Sequence, residues 1–213
     1  MNASQPVVLY DYWRSSASYR VRIALHTLEI GFETVPVDLL AQAHKAPEYL
    51  GINPQGRVPT LEIDGLVYLQ SLAIIEYLEE TRNAGFLPRD PAGRQHVRAI
   101  AHTIAMDIHP ICNLGVVAHV LDLAGGGEEM RSAWMQKFIG AGLDAVEVML
   151  TGHDGTFCHG DTPGLADFCL VPQLYNASRW GLDLSRFPTL SRIGTACAER
   201  PAFIAAHPDA YRS

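Results

Sequence analysis

Hydrophobic positions along this chain change their period once, near residue 85. Before that point short apolar runs alternate with helical stripes. Val7–Tyr10 is a continuous apolar run of the length of a buried strand. Val21, Ala24, Leu25 and Leu28 then recur at helical spacing, predicting a helix from about Ser16 to Leu28 that Gly31 ends. Thr34–Val37 reads as a second strand. A helical connection of this length makes the two strands parallel. Ala41 to Tyr49 is polar and irregular, a loop with a short helix. Val58–Ile63 and Leu66–Leu69 flank Asp64-Gly65, the strongest short signal for a hairpin. Gln70-Ser71 opens an amphipathic helix whose buried stripe is Leu72, Ile75 and Leu78, with Glu76, Glu79 and Glu80 toward water.

Strand–helix–strand followed by strand–strand–helix is the order of a thioredoxin-like domain. Beyond Ala84–Pro91, a stretch rich in Gly and Pro, strand patterns stop. Arg94 to about Ala124 is one long helical stretch that Pro110 should kink. Gly125-Gly126-Gly127 is a loop, and Trp134, Phe138, Ala141, Ala145 and Val148 mark the buried face of the next helix. A helix containing Pro172 begins near Leu165, and a last one runs from about Pro188 to Glu199. Gly164, a tolerable N-cap, stands at the start of the Leu165 helix with Asp167 three residues on, so Asp167 reads as a folding residue. The expected architecture is an α/β thioredoxin-like domain (1–86), a linker (87–92) and an all-helical domain (93–213).

Composition narrows the function classes. At 213 residues, 48% apolar and 18% charged, the chain has ample core for two small domains. A net charge of −7 gives no footprint for nucleic acid or an anionic membrane. Cys112, Cys158, Cys169 and Cys197 are scattered without a Cys-x-x-Cys pair, which argues against a zinc ribbon or dithiol site. No run of 18 apolar residues and no basic-apolar leader pattern is seen, so the expectation is a cytoplasmic protein without a membrane partner. His153, Asp154, Cys158, His159 and Asp161 are metal-ligand types in one Gly-rich loop, but their spacing does not converge them, and no metal is expected.

Candidate chemistry lies where the first strand hands over to the first helix, at Trp13-Arg14-Ser15-Ser16-Ala17-Ser18-Tyr19-Arg20-Val21-Arg22. The first N–H groups of a helix lack internal partners, and its dipole adds partial positive charge. Such a place suits an anion and lowers the pKa of a bound thiol. Serines there also read as plain caps. Gln70-Ser71 offers a second start of the same kind. Arg20 and Arg22 read as structural, forming helix-face and interdomain pairs.

The serine segment resembles the Ser-Ser-Cys-Ser-Trp-Arg-Val-Arg-Ile-Ala-Leu signature of zeta-class glutathione transferases, the maleylacetoacetate and maleylpyruvate isomerases. Asn53-Pro54 with Val58-Pro59-Thr60-Leu61, Gln70 through Glu80, and Leu165-Ala166-Asp167 running into Leu170-Val171-Pro172-Gln173 match in the expected order. The likeness covers nearly the whole chain. It implies glutathione as cofactor, a small dicarboxylate substrate, a homodimer, and a cis Val58-Pro59 bond. It implies that Ser15, with Ser16 as runner-up, donates a hydrogen bond to the glutathione sulfur. Val58 would supply backbone pairing beside Pro59, and Gln70 and Ser71 would hold the γ-glutamyl group. His44, His109 and Asn113 would complete the cofactor site, and Arg14 and Arg179 would hold substrate carboxylates. The implied reaction is cis–trans isomerisation in aromatic catabolism by thiolate addition, bond rotation and elimination.

Two departures stand out. Ala17 occupies the family's usual cysteine, and Gly115 stands where some maleylpyruvate-type relatives carry arginine. Conjugation or dehalogenation of small α-halo acids needs the same residues and stays open as an alternative. A non-catalytic glutathione-fold binding protein is a third reading, one that has no use for Arg14, Ser15, Ser16, Gln70 and Ser71 together.

Overall fold

The computed structural model describes residues 6–212, which form two compact units. One comprises the chain up to Gly85 together with the segment from Arg200 onward; the other runs from Phe86 to Glu199.

The first unit is built on a four-stranded sheet of order β2-β1-β3-β4. β1 (Val8–Asp11) pairs in parallel with β2 (Glu33–Pro36). It pairs antiparallel with β3 (Thr60–Ile63), and the Asp64-Gly65 hairpin returns β3 into β4 (Leu66–Leu69). Helices α1 (Ser16–Thr27) and α3 (Ser71–Arg82) pack on each other. Short α2 (Pro47–Ile52) follows a turn of 3₁₀ helix at Ala43–Lys45. Leu9, Leu61 and Ile63 from the sheet meet Val21, Ile23, Leu25, Ile74, Ile75 and Leu78 in the core. The parallel pair, the hairpin and the cis Val58-Pro59 bond are all as the sequence predicts.

One boundary and one buried face differ in detail. Helix α1 closes before Gly31: Glu29 takes the left-handed backbone (φ 54°), Glu29 N–H reaches the His26 carbonyl and Ile30 N–H reaches that of Leu25. This paired closure satisfies the last carbonyls without a glycine. The buried face of α3 is Ser71, Ile74, Ile75 and Leu78, with Leu72 only half-buried.

The segment after Arg200 adds α10 (Pro201–Ala205), which the hydropathy pattern did not reveal, and packs on α1. Arg22 ties it down. Its guanidinium pairs with Asp11 at 2.6 Å and donates to the carbonyls of Ala206 (3.1 Å) and Trp13 (3.0 Å). All of this lies inside the first unit, so Arg22 is a structural residue but not an interdomain one.

The second unit is helical. The long stretch after α4 (Pro91–His102) does not run straight. It widens into a π-helical turn at Thr103–Ile108, continues as a single turn α5 (His109–Ile111), and restarts as α6 (Leu114–Ala124) with Asn113 as N-cap. Pro110 cannot give an N–H to the turn before it and crowds the carbonyl four residues back, so the backbone expands ahead of it. By length and mean hydropathy residues 91–124 would suffice to cross a membrane, which a search for uninterrupted apolar residues does not register. Here that stretch packs against α7 (Glu128–Met149) and α8 (Leu165–Arg179).

The face of α7 is out of phase with the prediction. Met135, Ile139, Leu143 and Val146 are buried, while Ala141, Ala145 and Val148 face solvent. Trp134 and Phe138 cover the flank, their rings 4.5 Å apart, with Trp134 Nε1 donating to the Ile111 carbonyl. Bulky aromatics at the edge of the stripe had set the predicted phase. Helix α9 (Pro188–Ala198) completes the unit.

At the start of α8, Asp167 accepts from Gly164 N–H (2.9 Å) and Cys158 N–H (2.8 Å). Burial raises its pKa, against the pull of those two donors. The capping residue is therefore a structural carboxylate.

Candidate active site

Sheet register alone brings four segments to one end of the first unit. Tyr10 of β1 faces Thr60 of β3, and Thr60 faces Leu69 of β4. The chain leaving β1 toward Ser15, the chain entering β3 from Val58-Pro59, and the chain leaving β4 into Gln70-Ser71 therefore meet at the same sheet edge. Asp11 faces Pro36, so the chain leaving β2 toward His44 joins them there. Asp64-Gly65 turns at the far end. A surface depression lined by Pro6, Glu62, Ile63, Gly65, Leu66 and Val67 lies at that far end, away from this chemistry.

Ser15 is the N-cap of α1, its Oγ accepting from Ser18 N–H at 3.2 Å. A serine hydroxyl that accepts one bond still has its O–H to donate. Ser16 is the first helical residue, and both serines are half-buried. Asp11 and the Trp13 carbonyl, held by Arg22, fix the loop that presents them. Arg14 lies over the Trp13 ring, 4.8 Å from its centre, and donates to Tyr12 Oη (3.1 Å).

Val58 is presented by a loop with its own polar scaffold. Asn53, buried, donates to the Arg57 carbonyl (2.8 Å) and to Thr60 Oγ1 (3.0 Å) and accepts from Gln55 N–H (3.0 Å). Tyr49 Oη donates to the same Arg57 carbonyl at 2.6 Å. Gly56 has φ +56°, and a Cβ there would stand 2.7 Å from the His44 carbonyl oxygen, so only glycine lets the two segments approach. Tyr49, Gln55 and Gly56 were missed by the sequence reasoning, and Asn53 was noted only as part of a motif. The Asn-Pro-Gln-Gly turn composition was the available signal.

Gln70 occupies the N-cap position of α3 with φ 70° and donates to Gln55 Oε1 at 2.9 Å. Ser71 follows it, 5% exposed, its Oγ accepting from Arg20 Nη1 at 3.3 Å. The His44 imidazole is half-buried, and burial, then the charges of Lys45 and Arg57, lower its pKa, which favours the neutral ring.

The remaining predicted residues lie in the helical unit. His109 opens the single turn α5 beyond the π segment, half-buried. Asn113 is a working helix cap, its Oδ1 accepting from Gly115 N–H at 3.0 Å. A Cβ on Gly115 would touch only that oxygen, at 3.5 Å, so the fold does not demand glycine there. Arg179 ends α8, exposed, with Nη1 3.5 Å from Asn176 Oδ1 and the guanidinium 6.0 Å from the Tyr175 ring centre. In the Gly-rich loop, His153 hydrogen-bonds the Phe157 carbonyl, and Asp161 accepts from Thr156 Oγ1 at 2.9 Å. Burial pushes the Cys158 thiol well up. These contacts hold the loop's own shape, and no group of three or more metal-ligating side chains converges among the described residues.

An end of the sheet that offers extended backbone and two helix starts suits an anionic peptide. The comparisons agree with that chemistry. A glutathione S-transferase N-terminal domain model matches residues 5–80. A maleylacetoacetate isomerase of Rhizobium meliloti (strain 1021) is 62% identical over 95% of this chain and 96% of its own length. The rat enzyme of the same name is 44% identical over 98% of this chain and 94% of its own. Among solved structures, the holo form of a bacterial zeta-class maleylpyruvate isomerase superposes with a TM-score of 0.93 at 40% identity, covering 95% of this chain and 97% of that one. Maleylacetoacetate isomerase from Anaeromyxobacter dehalogenans 2CP-1, with glutathione bound in its active site, superposes with 0.85 at 42% identity over 96% and 95%. The chain belongs to the zeta-class glutathione transferases, the family of maleylacetoacetate and maleylpyruvate isomerases.

Proposed function

We propose that this chain is a glutathione-dependent cis–trans isomerase of unsaturated oxo dicarboxylates, with maleylacetoacetate as its substrate ahead of maleylpyruvate. The observation that carries the reading is the convergence of Ser15, Val58-Pro59 and Gln70-Ser71 at one end of the sheet. The 62% identical maleylacetoacetate isomerase and glycine at 115 support the choice of substrate.

In this reading the first unit is the glutathione-binding domain and the helical unit the substrate domain. Val58 pairs its backbone with the cysteinyl residue of the cofactor. Ser71 and Gln70 hold the γ-glutamyl group at the positive end of α3. His44 donates to the glycyl carboxylate, and His109 and Asn113 give further donors to the cofactor. When bound, glutathione supplies a sulfur nucleophile that adds reversibly to the conjugated double bond and so lets it rotate. Ser15 donates its remaining O–H to that sulfur, with Ser16 beside it, and the α1 dipole acts in the same direction; both lower the thiol pKa. Arg14 and Arg179 orient the two substrate carboxylates through paired hydrogen bonds and stabilise negative charge that develops during the reaction. Ala17 is not needed for any of these steps. We further propose a cytoplasmic homodimer, on family grounds.

The test is a spectrophotometric assay with each cis acid generated in place, with and without glutathione, for wild type and Arg14→Ala. Glutathione-dependent loss of maleylacetoacetate, reduced about 10²-fold in the variant, is the expected result. No turnover of either acid, alongside conversion of an α-halo acid, would replace the isomerase reading with conjugation or dehalogenation.

A further inference from the structure

We infer that Arg20 is a positioning residue for the cofactor: it sets the Ser71 hydroxyl so that its O–H points at the γ-glutamyl α-carboxylate. The inference rests on the glutathione reading above and extends it to a residue that the sequence alone assigns to structure.

Arg20 lies on α1, 51 positions before Ser71, and is 2% exposed. Its Nη1 stands 3.3 Å from Ser71 Oγ, inside the first unit. The guanidinium has donors only, so the serine oxygen must accept. That occupies one lone pair and leaves the single O–H to be donated elsewhere. A hydroxyl that accepts from a cation is polarised and donates more strongly, especially to a charged acceptor. Ser71 is also the first residue of a twelve-residue helix, so its own N–H and the helix dipole favour negative charge at the same point. A buried cation behind the hydroxyl adds to that field in a place where solvent screens it weakly. Together the three features specify a carboxylate in front of Ser71 rather than a neutral group.

The contact also locks α1 to α3, which a purely structural role would explain equally well. The two roles differ in what they do to ligand selectivity. The probes are glutathione and γ-aminobutyryl-cysteinyl-glycine, which lacks only the glutamyl α-carboxylate, titrated by calorimetry into wild type, Arg20→Gln, Arg20→Lys and Ser71→Ala. Wild type is expected to prefer glutathione by roughly 10- to 100-fold, the worth of a charged hydrogen bond. Arg20→Gln should remove most of that preference while binding the analogue as wild type does. Arg20→Lys should keep part of it, because the charge remains without the planar fork. Ser71→Ala should lose it as fully as Arg20→Gln, and the double variant should lose no more than either single one.

Equal weakening of both ligands in the Arg20 variants, with the preference intact, would overturn the inference and leave Arg20 a packing residue. Should Arg20→Gln not fold, the same comparison is made with Arg20→Lys, whose unchanged preference would overturn it equally. An intact preference in Ser71→Ala would instead contradict the placement of the carboxylate, and so the cofactor reading itself.

Discussion

The starts of α1 and α3 and the start of α8 are all polar helix N-termini, yet they are finished differently. At α8 both oxygens of Asp167 accept backbone N–H groups, and the carboxylate has no donor to offer a ligand. At α1 the capping Ser15 and at α3 the first helical residue, Ser71, accept one internal bond each, from Ser18 N–H and from Arg20, and keep an O–H to give. The first arrangement closes on itself and holds a fold. The second has donor capacity left over, facing the sheet edge where the cis-proline loop arrives. Leftover hydrogen-bonding capacity, more than burial or charge, separates the candidate catalytic starts from the structural one.

The largest way to break this comparison is to remove what stands behind the open start. Arg22→Met leaves Asp11 buried without its partner and frees the Trp13 carbonyl, and should cost about 3–5 kcal/mol in urea unfolding. A cost under about 1 kcal/mol would mean that the pair is not holding the loop before Ser15.

Next in size is Asp167→Ala, which strands the N–H groups of Gly164 and Cys158 and should cost about 1–3 kcal/mol. Its glutathione affinity, measured by calorimetry on the folded fraction, should be unchanged. A parallel loss of affinity would erase the distinction between the closed and open starts. Asn113→Ala tests a mixed case, because Asn113 visibly caps α6 and is proposed to touch the cofactor. The cap alone predicts a loss of about 1 kcal/mol, and thermal unfolding would measure it.

Acid gives the smallest effect. His26, hydrogen-bonded to the Tyr211 hydroxyl (2.6 Å), has its pKa lowered by burial first and then by Arg22, and His44 is lowered by burial first and then by Lys45 and Arg57. An unfolded histidine near 6.5 takes up a proton more readily than either folded ring, so their contribution to stability is whole above that pH and declines as pH falls through it. Denaturant midpoints measured from pH 8 to 5 should fall below about 6.5, and His26→Gln should flatten part of that slope.

Much of this was legible in the sequence because local signals and the global fold agree. Asp64-Gly65 names its hairpin, the helix between Tyr10 and Thr34 dictates a parallel pair, and the resemblance supplies the cis-proline. Other features were hidden for physical reasons. Arg20 shows in sequence as a charge on a buried helix face, but its partner lies 51 residues away, beyond any periodicity. Gly56 is required by the close approach of the His44 carbonyl, a tertiary event that composition only hints at as a turn. The phase of α7 was misjudged because Trp134 and Phe138, large as they are, cover its flank while smaller side chains fill the core. The π-helical turn before Pro110 was anticipated only as a kink, since a proline announces a disruption but not its form.

The most direct test of the open-start account is the thiolate absorbance of bound glutathione, titrated against pH in wild type and Ser15→Ala. The account predicts that wild type lowers the thiol pKa by at least about one unit from its free value near 8.5, and that Ser15→Ala restores much of the difference while still binding the peptide. An unshifted thiol in wild type, or the same lowered value in both proteins, would contradict it.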